Sequence, residues 1–210
     1  QFHTLEMGLE AFRSDWGDYP PSEFSIPIYG LDSIASFRLA EALIGRDGLG
    51  FHSSSQFLED GQSALGVGDN IYTFDPETQA ANLAARQGPY LELETANAVL
   101  LSSIFGPNPG SLDTDGYVLA DAFTKKFGTG AESGMPILYY RANTSQIGND
   151  PAPASWGTNT YNLNDSYCLG QGIVAMGVPF QSSYMAHPLA NTDNASRFYG
   201  AIANPNFTSP

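Results

Sequence analysis

The chain opens with the segment QFHTLEMGLEAFRSDWGDYPP, residues 1–21, in which large apolar side chains recur at steps of three and four. These apolar residues are Phe2, Leu5, Leu9, Phe12 and Trp16. Such spacing places them on one stripe of an α-helix, and the charged residues of the segment fall off that stripe. Gly17 is the residue expected just past a helix C-terminus, and the Pro20-Pro21 pair cannot continue a helix. The segment therefore predicts an amphipathic helix over residues 1–17.

The rest of the chain has the composition of one loop-rich folded domain. Hydrophobic residues make up 42% of the 210 residues and aromatic residues 12%, which excludes general disorder. Charged residues are only 14%, while 22 Gly and 14 Pro favour many turns, as is common in secreted and surface proteins. We expect a single domain over residues 1–210, with a helix stem at 1–17 and a globular head at 18–210.

Capping residues and apolar periodicity predict further helices and two strands in the head. The helices run from Ser33 to about Ile44, from Asp75 to about Arg86, from Glu94 to Phe105 and from Asp193 to about Ala203. The strands are Tyr117–Ala120 and Ile137–Arg141, which are candidates for adjacent antiparallel strands. Helices come before strands without βαβ alternation, so we expect an α+β fold. In this fold the stem helix packs on a head with a small antiparallel sheet, several short helices and long loops.

Three less regular segments separate these elements. Residues 46–67 are rich in Gly, Ser and Asp and are predicted to form an exposed excursion. Residues 71–74 are short and β-favouring, and residues 143–165 are predicted to form a long surface loop. Residues 166–180 are apolar but dotted with Gly, and their pattern does not separate helix from strand.

The charge balance excludes two classes of partner. The net charge of −14 comes from 22 acidic against 8 basic residues, with no Lys or Arg cluster beyond Lys125-Lys126. A nucleic-acid backbone and an anionic membrane surface would both be repelled. No run in the sequence approaches the roughly 20 apolar residues that span a bilayer.

No catalytic motif is present in the sequence. It contains no Gly-x-Ser-x-Gly elbow and no His-Glu-x-x-His, and its three histidines, His3, His52 and His187, are far apart in the chain. The single cysteine, Cys168, has no partner for an intramolecular disulfide and is interpreted as a small buried residue. We expect no catalysis and no cofactor.

A calcium site is the one metal site that the sequence suggests. Asp113-Thr114-Asp115-Gly116 resembles the start of a calcium loop, in which Asp113 and Asp115 would face the cation. The bidentate Glu expected later in such a loop is missing. A plain Asp-Gly turn leading into the strand at Tyr117 is the alternative interpretation, and the missing Glu favours it.

An amphipathic helix that runs into Asp-x-Gly-x-Tyr-Pro resembles the passage from helix to head in type II secretion major pseudopilins and related type IV pilin-like proteins. Here the motif is Asp15, Gly17, Tyr19 and Pro20. Two further segments, GPYLE at 88–92 and GMPILYYRAN at 134–143, resemble a large-headed branch of that family. The resemblance implies a structural subunit of a filament in the cell envelope, periplasmic or extracellular, that associates with itself and with other secretion-system pilins.

The resemblance also implies features of the whole gene product and of the stem. A processed hydrophobic segment is expected upstream of Gln1, and it would anchor the protein in the inner membrane before assembly. The apolar stripe would divide between packing the head and packing neighbours, while residues 15–20 would set the angle at which the chain leaves the helix. Family members often hold calcium near the C-terminal strand, yet residues 206–210 lack an Asp-rich loop. Either the chain is trimmed there or it departs from the family pattern.

Two other functions stay open. The chain is alternatively a secreted or surface binding module that recognises polysaccharide or protein through aromatic-rich loops. Arg141 and Asn143, which follow Tyr139-Tyr140, are the residues that a polar recognition edge would use. A hydrolase built from unmarked Ser, Asp and His residues is the third and least supported interpretation.

Overall fold

Helices and small antiparallel sheets make up the architecture, which confirms the predicted mixture of α and β structure. The computed structural model describes residues 1–22, 34–55, 57, 71–72, 79–105, 116–126, 132–146, 148, 159–162 and 165. The helices are α1 (Phe2–Trp16), α2 (Ala35–Ile44), α3 (Gln79–Ala84), α4 (Leu93–Ala96) and α5 (Leu101–Phe105). The strands are β1 (Phe51–His52), β2 (Arg86–Gln87), β3 (Ala98–Leu100), β4 (Tyr117–Leu119), β5 (Lys125–Lys126) and β6 (Glu132–Ser133). They pair as three antiparallel two-stranded sheets, β1 with β2, β3 with β4 and β5 with β6.

The stem helix α1 has the predicted extent and ends as predicted. Gly17 adopts φ 82°, and its N–H donates to the carbonyl of Arg13 over 2.8 Å. This left-handed residue satisfies a carbonyl of the last turn and turns the chain away from the helix axis. None of the helices in the described part of the chain is long and apolar enough to cross a membrane.

Helix α1 lies against α2 and contributes to the main core. A Cβ at Gly8 would lie 3.0 Å from Leu91 Cγ and 3.3 Å from Leu43 Cδ2, so the absent side chain lets the stem approach the head closely. The buried members of this core are Leu5, Phe12, Leu39, Ala40, Ala42, Leu43, Ile44, Phe51, Leu91, Ala96 and Leu119. A smaller cluster consists of Ile34, Leu101, Ile104 and Val118.

Helix α2 is the central element of the head. Nine of its ten residues are buried, and it contacts α1, β1 and β4. It ends at Ile44 with Gly45 as predicted, but Ile34 and not Ser33 is its N-cap, and no side chain caps it. Ser33 itself lies outside the described residues. Tertiary packing on all sides, and not a capping side chain, therefore stabilises this helix.

The predicted helix from Glu94 to Phe105 is wrong, because the chain forms α4, β3 and α5 there. Asn97 interrupts the helix with φ 53°, and its side-chain amide donates to the carbonyls of Ala120 and Asp121 over 3.1 and 2.7 Å. Ala98 then pairs with Leu119 at the start of the β3–β4 ladder. Tertiary hydrogen bonds therefore override the local helical periodicity.

The predicted pairing of Tyr117–Ala120 with Ile137–Arg141 is only partly right. The ladder partner of β4 is β3, and residues 137–141 form no strand. The second segment does meet the first at one antiparallel bridge, Ala120 with Pro136, and the Ile137 N–H donates to the Leu119 carbonyl over 2.7 Å. Pro136 has no N–H to give, which limits how far this side of β4 can be paired.

Three other sequence predictions need correction. The start of the expected exposed excursion is core, since Phe51 and His52 are buried in β1. Ile71 and Tyr72 form a turn and not a strand, while residues 73–74 lie outside the described part. The predicted helix ending at Arg86 ends at Ala84, because Arg86 pairs with His52 in the β1–β2 sheet. The predicted helix at 193–203 and the ambiguous residues 166–180 also lie outside the described residues.

Glu41 of α2 is a buried carboxylate that accepts hydrogen bonds from two other segments. Ser55 and Tyr72 both donate their hydroxyl protons to Glu41 Oε1, the latter over 2.8 Å. Burial raises the pKa of Glu41, and the hydrogen bonds from Ser55 and Tyr72, followed by the charges of Arg46 and Arg38, oppose that rise without cancelling it. The carboxylate thus holds the segments around Ser55 and Tyr72 against α2.

Replacing this carboxyl by an amide tests the electrostatic cost of burying it. Glu41→Gln keeps an oxygen acceptor for Ser55 and Tyr72 but cannot ionise. The pKa of Glu41 in the folded state is raised above its unfolded value of about 4.3. The wild type therefore loses stability as the pH rises from the unfolded pKa through the folded pKa. We expect Glu41→Gln to melt above the wild type at neutral pH, and the gap to close below about pH 4. Glu94→Gln, the same substitution at an exposed position, is the matched control. A Glu41→Gln protein that is less stable than the wild type at neutral pH would contradict the expectation.

A second substitution tests whether the stem is part of the core. Phe12 is 3% exposed, and Phe12→Ala should lower the free energy of unfolding by about 3–5 kcal/mol in urea denaturation. Met7 on the same helix is 61% exposed, and Met7→Ala should change it by no more than about 0.5 kcal/mol. Equal effects of the two substitutions would mean that α1 does not pack on the head in solution.

Candidate functional site

The apolar stripe of α1 divides between the core and the surface of the stem. Leu5 and Phe12 are buried, whereas Leu9 and Trp16 are half-buried and pack at the edge of the core. Phe2 is 76% exposed. The sequence pattern predicted the stripe but missed Gly8, which is buried against the head although it has no side chain.

The end of α1 is held to the head by a chain of hydrogen bonds through Tyr90. The Trp16 indole N–H donates to the Tyr90 hydroxyl oxygen over 2.9 Å, and the Tyr90 hydroxyl donates to Asp15 Oδ2 over 2.9 Å. Burial and the Asp15 carboxylate raise the pKa of Tyr90 to about 12, so the hydroxyl keeps its proton at neutral pH. The Tyr90 ring also contacts Phe12, with ring centroids 5.8 Å apart.

After Gly17 the chain leaves the helix through residues 18–22, which we call the exit segment, and charged groups contact this segment from both sides. The Arg141 guanidinium pairs with Asp18, which joins the exit segment to the 134–143 segment. The Tyr19 hydroxyl donates to Glu10, and the Arg13 guanidinium lies 5.0 Å from the centroid of the Tyr19 ring. Exposed contacts of this kind add little stability, but they restrict the direction in which the chain leaves the helix.

The last contacts of the exit segment are buried. Tyr139 donates its hydroxyl proton to the Pro20 carbonyl over 2.8 Å. Ser22 accepts from the Arg141 N–H over 2.9 Å and donates to Asp165 over 2.5 Å. Ser22 and Asp165 are each only 2% exposed, so the chain is fixed inside the head two residues after the motif.

These contacts define what we call the junction: residues 15–20 of the motif and the three side chains that bind them, Tyr90, Tyr139 and Arg141. The three sequence segments that carry the family resemblance, at 15–20, 88–92 and 134–143, therefore meet at one place. Sequence reasoning gave no role to Tyr90 or Tyr139. The feature of the sequence that could have indicated these two tyrosines is their position inside the segments at 88–92 and 134–143.

A groove runs along the flank of the stem beside the junction. It lies between α1 and residues 137–142 and has a volume of about 860 Å³. We call it the stem groove. Its apolar lining includes Phe2, Leu9, Leu39, Ile137, Tyr139 and Tyr161. Carboxylates line it too, namely Glu6, Glu10 and Asp18.

The structure does not test the predicted calcium ligands, because Asp113 and Asp115 lie outside the described residues. Within the described ranges, no group of three or more His, Cys, Asp or Glu side chains is placed to hold a metal ion. Cys168 and His187 are likewise outside them. His52 accepts the Ser54 N–H at Nδ1 over 3.0 Å, and burial lowers its pKa, so it is neutral within the head.

Comparisons of the chain with protein-family models, with curated proteins and with solved structures find no match. A functional assignment therefore rests on the chemistry of the junction and the stem groove.

The conformation of Gly17 gives a direct test of the junction. A Cβ at Gly17 would meet no atom within 4 Å, so a substitution there changes only the backbone preference. Gly17→Ala should cost about 1–2 kcal/mol of unfolding free energy, because Ala disfavours the left-handed region. Gly17→Asn should cost less, because Asn tolerates that region. Chemical denaturation measures both, and an Ala variant as stable as the wild type would show that the turn at Gly17 is not formed in solution.

Proposed function

We propose that this chain is the soluble part of a structural subunit of a pseudopilus or pilus-like filament, of the kind that serves type II secretion. In this proposal the head and stem form a pilin-like domain. The protein has no turnover chemistry of its own, and its partners are further copies of itself and other pilin-like subunits of the same system.

The junction is the observation that carries the proposal. A filament subunit must hold its stem at a fixed angle to its head, because every subunit repeats the same contacts with its neighbours. Each motif residue helps to fix the stem on the head. Asp15 accepts a hydrogen bond from Tyr90, and Gly17 makes the left-handed turn that ends the helix. Tyr19 contacts Glu10 and Arg13, and the Pro20 carbonyl accepts a hydrogen bond from Tyr139.

The division of the stem surface also favours assembly. One flank of α1 is buried in the head, while Phe2, at the start of the same stripe, and Met7, off the stripe, are 76% and 61% exposed. Large apolar side chains left in water on a helix are available to pack against a neighbouring helix. The acidic residues of the chain would keep such a subunit soluble before assembly.

The intact gene product, expressed with its assembly machinery, tests this proposal. We expect antibodies against residues 1–210 to label filaments sheared from the cells, and the coding sequence upstream of Gln1 to encode a short basic leader followed by about 20 apolar residues. The variant Gly17→Pro, whose ring cannot adopt a positive φ, should lower the yield of filaments, whereas Glu94→Gln, at an exposed position on α4, should leave that yield unchanged.

The contrary result would be a protein found only as a secreted monomer, with a cleavable secretory signal that ends near Gln1. That result would favour the alternative, a binding module for polysaccharide or protein. A polar cavity of about 580 Å³ beside the junction is the feature such a module would use. It is lined by Ser22, Arg141, Asn143, Asn159, Thr160 and Asp165.

A further inference from the structure

The polar cavity beside the junction has a buried floor and an exposed rim. Its floor includes Ser22, Asn159 and Asp165, each of which is at most 3% exposed, and its rim includes residues 143–145, which are exposed. Its volume of about 580 Å³ lies within the range of small-molecule sites. Most such sites are lined mainly by apolar side chains. A lining of hydroxyl, amide and carboxylate groups therefore indicates a ligand that is itself polar over most of its surface.

Hydrogen bonds between two chain segments hold the walls of this cavity in place. The Asn143 N–H donates to the Thr160 carbonyl over 2.7 Å, and the Thr160 N–H donates to the Gly148 carbonyl over 2.9 Å. The Thr160 hydroxyl donates to the Gln146 carbonyl over 3.0 Å, and Asn143 Oδ1 accepts the Ser145 N–H over 3.1 Å. Because the walls are tied together without a ligand, binding requires little ordering of the chain.

The charged groups of the cavity do not suit an ionic ligand. Among the described residues of its lining, Asp165 is the one carboxylate and Arg141 the one guanidinium. Arg141 pairs with Asp18, which does not line the cavity, so an anion would meet the Asp165 carboxylate without a guanidinium to offset it. A metal ion would find one carboxylate there, and the described part of the chain places no three His, Cys, Asp or Glu side chains together around a metal position.

The neutral groups of the lining bring hydrogen-bond donors and acceptors together. Asn amides and Ser and Thr hydroxyls both donate and accept, whereas the Asp165 carboxylate accepts. An ammonium group only donates, so it matches the carboxylate but not the amide N–H donors. A hydroxyl group donates and accepts at the same time. A ligand that carries several hydroxyl groups therefore matches the whole lining.

We infer that the polar cavity binds a neutral saccharide, whose hydroxyl groups donate to Asp165 and accept from the side-chain amides of the lining. The inference goes beyond the proposed function and does not depend on it, because it concerns the head of a single chain and not assembly. The saccharide is either a free sugar or a unit of a glycan chain, and these two sources share the hydroxyl chemistry that the cavity recognises.

Titration of the isotope-labelled chain of residues 1–210, followed through its backbone amide signals in NMR spectra, tests the inference. The neutral probes are glucose, galactose, mannose, N-acetylglucosamine, maltose and cellobiose, and the charged probes are glucosamine and glucuronate. We expect at least one neutral sugar to shift the amide signals of residues 141–146 and 159–162, and neither charged sugar to do so at the same concentration.

The inference is overturned if no neutral sugar shifts these signals, if the shifts lie elsewhere in the chain, or if a charged sugar gives shifts as large. Tighter binding of maltose or cellobiose than of glucose would support the inference with a glycan chain as the source. A single sugar unit that binds as tightly as the disaccharides would support it with a free sugar as the source.

Asp165→Asn supplies a second measurement, with Glu94→Gln as its matched control. Asn keeps an oxygen acceptor for the Ser22 hydroxyl but loses the charge-assisted hydrogen bond to the sugar, which is about twice as strong as a neutral one. We expect the dissociation constant to rise about tenfold in Asp165→Asn, and to be unchanged in Glu94→Gln, where the carboxylate is exposed on α4. An unchanged dissociation constant in Asp165→Asn would overturn the inference. Both measurements use the soluble chain, so their failure is distinct from a failure to find filaments.

Discussion

The contact of Phe12 with the aromatic rings around it is the interaction on which the arrangement of stem and head depends. Its ring meets Phe51 and Tyr90 edge-on, at centroid distances of 5.3 and 5.8 Å, and Trp16 packs 5.0 Å from Phe51. These rings come from α1, from β1 and from the segment after Gly88-Pro89, so one cluster joins three distant parts of the chain. Burial of a phenyl ring contributes about 1.5–3 kcal/mol, and edge-on ring pairs about 0.5–1.5 kcal/mol more. On its own, α1 would be a short isolated helix, which is marginal in water.

The polar contacts of the junction add direction to that attachment. An apolar cluster holds two elements together but tolerates some rotation between them, whereas hydrogen bonds have fixed donor and acceptor geometry. Asp15 and Trp16 meet the same Tyr90 hydroxyl, and four residues after Trp16 the Pro20 carbonyl accepts from Tyr139. The chain is therefore fixed at the last turn of the helix and again just after it. Within the proposed function, these two attachments keep the angle between stem and head the same in every subunit.

Sequence alone predicted the elements that are defined locally. Helix α1 was predicted over its full length, because its apolar period and its stop at Gly17 lie within one segment. The break at Asn97 was missed, because its cause is a pair of carbonyls more than twenty residues away. The strand partner of β4 was wrong for the same reason. The motif residues of the junction were found, but Tyr90, Tyr139 and Gly8 were not, since their importance depends on which surface they meet after folding.

Amide hydrogen exchange in α1 tests most directly whether the stem is part of the head. If the Phe12 cluster and the junction hold it as described, the amides of α1 from Leu5 to Trp16 should exchange as slowly as those of α2, through the same global unfolding reaction. The amides of the first turn have no acceptor within the helix, so they should exchange faster. If instead the whole of α1 exchanges orders of magnitude faster than α2, the stem detaches from the head on its own, and the account of a fixed stem is wrong.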